Sequence, residues 1–207
     1  MEKTMIYELR ISRTRMGGQR ELEQRMEAAL PKRLRHSPLA GAWHTEIGPL
    51  FQVIELWPYE DAQHHAEISR AVAADGTWPP HEGDLIMRTE MELLTPTPWC
   101  RELKGAPEKV GPIFELRIYQ ARANGVPTLI ERWGPKVAGR EALSPLLGNW
   151  HTPSGKWMHL WPYPDLATRV ATRARAIEEK IWPPNAGEAM LTQESWIITP
   201  TAFSPLQ

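Results

Sequence analysis

The sequence predicts an α+β protein made of two tandem copies of one βαββαβ module, and three observations predict it. The first half of the chain returns in the second at fixed offsets, rare tryptophans included. Each half runs through the same order of strand-like and helix-like segments. A stretch with two glycine/proline groups, Gly105-Ala106-Pro107 and Gly111-Pro112, lies between them and reads as a linker over 100–112, leaving modules of domain size at 1–99 and 113–207.

The repeat is specific. Moving 107 residues on, from Ile6 to Ile113, carries Glu8-Leu9-Arg10-Ile11 onto Glu115-Leu116-Arg117-Ile118, Ser37-Pro38-Leu39 onto Ser144-Pro145-Leu146, and Trp43-His44-Thr45 onto Trp150-His151-Thr152. Three residues then drop out of the second copy. With the offset at 104, Leu56-Trp57-Pro58-Tyr59 falls on Leu160-Trp161-Pro162-Tyr163, and Trp78-Pro79-Pro80 on Trp182-Pro183-Pro184. The deletion separates Ile47-Gly48-Pro49 from Pro153-Ser154-Gly155, two turns of different length, and a loop absorbs such a change at least cost.

Met5 to Ile11 alternates Tyr7, Leu9 and Ile11 against Glu8 and Arg10, the pattern of a half-buried strand. Phe114, Leu116 and Ile118 repeat it opposite Glu115 and Arg117. After the Gly17-Gly18 turn, Leu22, Met26, Leu30 and Leu34 recur at helical spacing, predicting one buried stripe. Ala42–Glu46 and Gln52–Trp57 predict a hairpin that Pro58 ends by removing a ladder donor. Glu60–Ala74, rich in alanine, predicts a second helix, and Leu85–Leu94 a final strand. This order is the ferredoxin-like plan of a four-stranded antiparallel sheet with both helices on one face. The other face needs cover, and the equivalent face of the second copy is the nearest candidate, so two such sheets are expected to pack face to face as a barrel within one chain.

Composition excludes several function classes. Lys and Arg total 24 against 25 Asp and Glu in 207 residues, a balance that offers no field for nucleic acid or anionic lipid. The single cysteine, Cys100, can form neither an internal disulfide nor a cysteine metal cluster and fits a reducing, cytoplasmic setting. Met1–Tyr7 shows no signal pattern, and no apolar run approaches membrane-spanning length. Gly17-Gly18 carries no phosphate-loop or dinucleotide fingerprint, so no nucleotide cofactor is expected. His64 and His65, adjacent on a helix, diverge by about 100° and are expected to be solvated, with no chelating role.

The motifs Tyr7-Glu8-Leu9-Arg10, His36-Ser37-Pro38-Leu39, Thr45-Glu46-Ile47-Gly48-Pro49-Leu50, Gln52-Val53-Ile54, Leu56-Trp57-Pro58-Tyr59 and Phe203-Ser204-Pro205-Leu206 together resemble the NIPSNAP family of the dimeric α/β-barrel superfamily, over nearly the whole chain and once per copy. The resemblance implies a chain equivalent to a fused dimer. Its pattern has a histidine before Leu-Trp-Pro-Tyr, which copy two keeps as His159 while copy one has Glu55. The superfamily includes cofactor-independent monooxygenases, isomerases, lyases and haem enzymes, and fold does not transmit a reaction.

Candidate residues follow. Glu8, Arg10, Glu115 and Arg117 are expected on the face the barrel encloses, where arginine holds a carboxylate or enolate and glutamate moves a proton; as structural pairs they would merely neutralise each other. His44 and His151 sit at the same place on the hairpin strand, each flanked by Trp and Thr, where an inward imidazole would serve as acid, base or haem ligand and an outward one would bond a neighbouring strand or loop; alternation puts the tryptophan on the opposite face without saying which face is inward. The face Val53, Glu55, Trp57 becomes Trp157, His159, Trp161, which brackets a histidine with two indoles and suits either a base of depressed pKa or aromatic packing. The expectation is a small aromatic or carbonyl compound bound in the barrel, with His159, Arg10, Arg117, Glu8 and Glu115 as catalytic candidates and His44, His151, Trp57, Trp157, Trp161 and Glu55 as ligand contacts. Proton transfer, isomerisation and cofactor-free oxidation are the candidate reactions, without metal or cofactor. A non-catalytic protein-interaction scaffold and a haem-binding barrel are the alternatives, and a homodimer is open.

Overall fold

The computed structural model describes residues 5–80 and 83–207. The start of the N-terminal reading, Met1–Thr4, lies outside them. No described helix is long and apolar enough to cross a membrane. The expected α+β class and both βαββαβ modules are present, as β1 (Ile6–Thr14), α1 (Gln19–Arg33), β2 (Gly41–Ile47), β3 (Gln52–Tyr59), α2 (Ala62–Asp75) and β4 (Ile86–Pro96), then β5 (Ile113–Ala121), α3 (Gly125–Glu141), β6 (Gly148–His151), β7 (Lys156–Tyr163), α4 (Leu166–Glu178) and β8 (Met190–Pro200).

The chain divides into two compact units that exchange terminal segments. The first comprises Met1–Leu94, Leu103–Lys109 and Thr199–Gln207, and the second Thr95–Glu102 and Val110–Ile198. In the first, β1 lies between β3 and β4, and β3 continues to β2, all antiparallel. The tail closes this unit, with Thr201 N donating to Ala42 O at 3.0 Å. In the second, β5 lies between β7 and β8 and β7 pairs with β6, while Thr95 and Pro96 pair with His151 and Trp150. The segment read as a linker is held on both sides. The Leu103 amide donates to Tyr7 Oη at 2.9 Å, and the Trp99 indole to Asn149 Oδ1 at 3.0 Å.

Helix α1 buries Leu22, Met26 and Leu30 of the predicted stripe against Trp57, Tyr59 and Val53, each such side chain contributing about 1.5–3 kcal/mol, whereas Leu34, the fourth, caps the helix end and is exposed. Asp61 caps α2 by accepting from His64 N at 2.8 Å, and Gly76 ends it at φ 63°, a left-handed cap that suits glycine. Helix α3 puts Leu129, Trp133, Val137 and Arg140 inward, and Asp165 caps α4.

Pro58 was expected to end its strand, yet β3 runs through it to Tyr59, and Pro58 faces Tyr7 in the register. The reason is the side its backbone presents. Leu56 O accepts from Ala40 N at 2.8 Å, so Pro58, two residues on, turns its missing donor to the same side, where β2 has already ended. Leu147 N to Leu160 O, at 3.0 Å, repeats this at Pro162.

Candidate functional site

Strand alternation puts Glu115, Arg117 and Tyr119 of β5 on one face, beside Trp157, His159 and Trp161 of β7. That face lies under α3 and α4. Glu115 meets Arg169 and Arg173 of α4, and His159 meets Trp133 of α3. In the first unit Glu8 reaches His65 of α2 at 2.6 Å. The Glu and Arg positions therefore lie on the helix-covered side of each sheet, not on the opposite face as expected; alternation separates two faces but does not say which one the helices take. His65, expected to be solvated, is half-buried, for it bonds Glu8 and stands edge-on to Tyr59 at 4.7 Å.

Glu115 is fully buried and is the centre of a cation cluster. It accepts from Arg169 Nη2 at 2.5 Å, Ser195 Oγ at 2.7 Å and Arg117 Nη1 at 3.0 Å, with Arg173 Nη1 at 3.6 Å. Burial pushes its pKa up, but these bonds and positive charges prevail and hold it at about 2. Arg173 is lowered from its ordinary value, by burial first and then by its cationic neighbours Arg117 and Arg169. Helix α4 builds this cluster by turning inward the face that carries Arg169, Arg173 and Ala176, while Val170 and Ile177 point outward at 60% exposure each. An ordinary amphipathic helix does the reverse.

Arg140 adds a further cation, 2% exposed and stacked 4.2 Å over Trp161. It donates to Tyr163 Oη at 2.8 Å. Among the described residues no carboxylate lies within ion-pair distance of it, and burying an uncompensated charge costs several kcal/mol.

His159, 1% exposed, sits edge-on to Trp133 at 4.8 Å and Tyr119 at 5.1 Å. The Trp161 indole N–H, which can only donate, bonds His159 Nδ1. Burial first, and then Arg117, drive the imidazole pKa well below its ordinary value, so the ring is neutral and carries its proton on Nε2. That nitrogen is buried without a hydrogen-bond partner.

Above this layer a cleft of about 420 Å³ opens, lined by Arg117, Tyr119, Trp133, Arg140, Arg173 and the Trp182-Pro183-Pro184 turn, among others. Tyr119 Oη accepts from Arg117 Nε at 2.6 Å, and burial raises its pKa. Trp157, Trp161 and His159 stand behind the lining as packing.

Of the predicted site residues, Glu115, Arg117, His159, Trp157 and Trp161 come together in the second unit. Glu8, Arg10, Glu55 and Trp57 form the corresponding layer in the first, where the Trp57 indole donates to Glu55 Oε2 at 2.9 Å and Arg10 Nε stands 3.7 Å from Glu55 Oε1. His44 is bound up between Glu23, at 3.0 Å from Nδ1, and Thr199 Oγ1, 2.7 Å from Nε2; the Glu23 bond raises its pKa. His151 stacks on Trp157. Trp43 and Trp150 thus take the face away from the helices, each folded over a glycine, Gly41 and Gly148, where a Cβ would overlap the indole. Cys100 is half-buried, and desolvation pushes its thiol up to about 11, away from the reactive thiolate.

The residues that sequence reasoning missed are Tyr119, Trp133, Arg169 and Arg173. The signal was the repeat itself. The offsets put them on Ser12, Met26, His65 and Ser69, so the second copy gains two aromatic rings and two guanidiniums in one layer.

The sequence model of the NIPSNAP family matches residues 7–101 and 114–205. Among curated relatives, the human protein NipSnap homolog 3A is 28% identical over 98% of this chain and 86% of its own length. Among solved structures, a putative monooxygenase from Fusobacterium nucleatum superposes with a TM-score of 0.71 at 9% identity, covering 97% of this chain and 94% of that one. Another, from Lactobacillus acidophilus, gives 0.59 at 11% identity over 96% and 95%. At those identities the likeness is one of fold.

Proposed function

The chain belongs to the NIPSNAP family, and from that premise we propose that the cleft of the second unit binds a small aromatic or carbonyl compound. The observation that carries this is a ligand-sized cleft, about 420 Å³, walled by Tyr119, Trp133 and Trp182 and carrying guanidinium groups on its rim and floor. Indole and phenol rings supply stacking area, and arginines supply directed donors.

The reactions compatible with such a site are proton transfer, isomerisation and cofactor-free oxidation of an aromatic or carbonyl compound. All three develop negative charge on a substrate oxygen, and the positioned donors of Arg117 and Tyr119 would stabilise it. His159 suits an acceptor that fixes Trp161 better than a base, since its one lone pair is taken by that indole. The same geometry weighs against haem, which needs that lone pair. A pure interaction scaffold would have no use for a cleft of this size with buried cations. The lone cysteine suits a cytoplasmic setting.

A thermal-shift screen with naphthyl and phenyl ketones and acids tests the reading. Ligands should raise the melting temperature of the wild type and lose that effect in Trp133→Ala, while folding is followed by circular dichroism. No stabilisation by any aromatic compound at millimolar concentration overturns it.

A further inference from the structure

We propose that the compound taken by this cleft is an aromatic carboxylate, whose anionic group supplies the negative charge that the first copy carries internally as Glu55. This deepens the proposed function and rests on it.

Six positions of the polar layer pair across the two copies. In the first unit, Arg10 stands 3.7 Å from the buried carboxylate Glu55 and half-buried Glu8 bonds His65, with Ser69 beside it, while Arg33 is buried over Trp57 with no carboxylate in ion-pair distance among the described residues. In the second, the same positions hold Arg117, Arg140, Glu115, His159, Arg169 and Arg173. Three guanidiniums, of Arg117, Arg169 and Arg173, share the single carboxylate Glu115, which among the described residues is the only one within ion-pair distance of any of them. Arg117, Arg140 and Arg173 line the cleft. Arg169 Nε is buried without a hydrogen-bond partner, and Arg140, like Arg33 in the first copy, is buried without a counter-ion among the described residues.

The exchange of Glu55 for His159 is conservative in everything but charge. Each side chain accepts the indole N–H of the tryptophan two residues on, Trp57 or Trp161. Each is cross-strand partner to an arginine, Arg10 or Arg117. What changes is that copy two lacks the second negative charge and gains two cations on α4. Three part-buried guanidiniums sharing one carboxylate leave excess positive charge in this layer, which a bound anion offsets. A planar carboxylate fits the guanidinium fork, and Tyr119, Trp133 and Trp182 hold the attached ring. The two divergences, cationic and aromatic, occur in one layer, which favours an aromatic acid over inorganic phosphate.

Calorimetric titration of the whole chain with 2-naphthoate and with the neutral 2-acetylnaphthalene tests the inference. Naphthoate should bind about tenfold or more tighter, the scale of one or two charge-assisted hydrogen bonds. Arg173→Gln, in a side chain 35% exposed, should weaken naphthoate about tenfold and leave the ketone within a factor of about two. His159→Glu, which copies the first unit, should abolish naphthoate binding and spare the ketone. Equal affinity for the two compounds, or naphthoate binding that ignores Arg173→Gln, overturns the carboxylate inference and leaves the aromatic cleft standing. Failure of both compounds to bind overturns the cleft reading and this inference with it.

Discussion

Glu115 is the residue on which the second unit's polar layer depends. Its carboxylate is the shared counter-ion of Arg117, Arg169 and Arg173, so Glu115→Gln leaves three guanidiniums clustered under the helices. Breaking one partner of a buried ion pair costs about 3–5 kcal/mol, and urea unfolding at pH 7 should show a loss of that order. The pH dependence has a definite sign. The folded pKa, about 2, lies below the unfolded value of about 4.3, so the stabilisation is complete above about pH 4.3 and disappears as pH falls towards 2. The gap between wild type and Glu115→Gln should therefore narrow over that window. A constant gap would mean that the carboxylate's charge contributes nothing. The sequence showed that Glu115 and Arg117 belong together, since they recur as Glu8 and Arg10. It did not show Arg169 and Arg173, because a charged pair on a helix ordinarily marks the solvated face, and here that face is turned inward.

At the scale of the element, the strands are legible and their orientation is not. Alternation in β1 and β5 identifies two faces, and the tryptophans of β2 and β6 identify positions of equal role, but a period of two is silent on which face the helices cover. The structure settles this through contacts: His44 reaches Glu23 of α1, and Trp43 goes the other way. The small residues beginning β2 and β6 follow from that choice, since the indoles of Trp43 and Trp150 lie flat over Gly41 and Gly148. Gly148→Ala should cost about 1–3 kcal/mol, the range for forcing extra atoms into a filled site. Gly187→Ala is the control, with open space around the added carbon, and should stay within about 0.5 kcal/mol of wild type. Equal denaturation midpoints for the two variants would refute the packing role. Pro58 makes a related point. Proline reads as a strand end, and β3 continues because the neighbour that would have needed its donor stops first.

Over the whole molecule, duplication has produced two like units with unlike polar layers. One is charge-balanced by its own carboxylates, and the other is rich in arginine and aromatic rings. If the cleft binds as proposed, calorimetry should give one ligand per chain. Two equivalent sites per chain would mean that the asymmetry at Glu55 and His159 has no functional weight. The sequence by itself determined the α+β class, the two modules, their strand and helix order and the inequality of the copies, because periodicity and repetition are local properties of the chain. Only the tertiary structure decided that the charged face lies beneath the helices, that α4 turns its arginines inward and that a cleft opens over them. Those outcomes depend on which surfaces meet, and residues as far apart in sequence as Glu115, Arg173 and Ser195 become one site only when the chain packs.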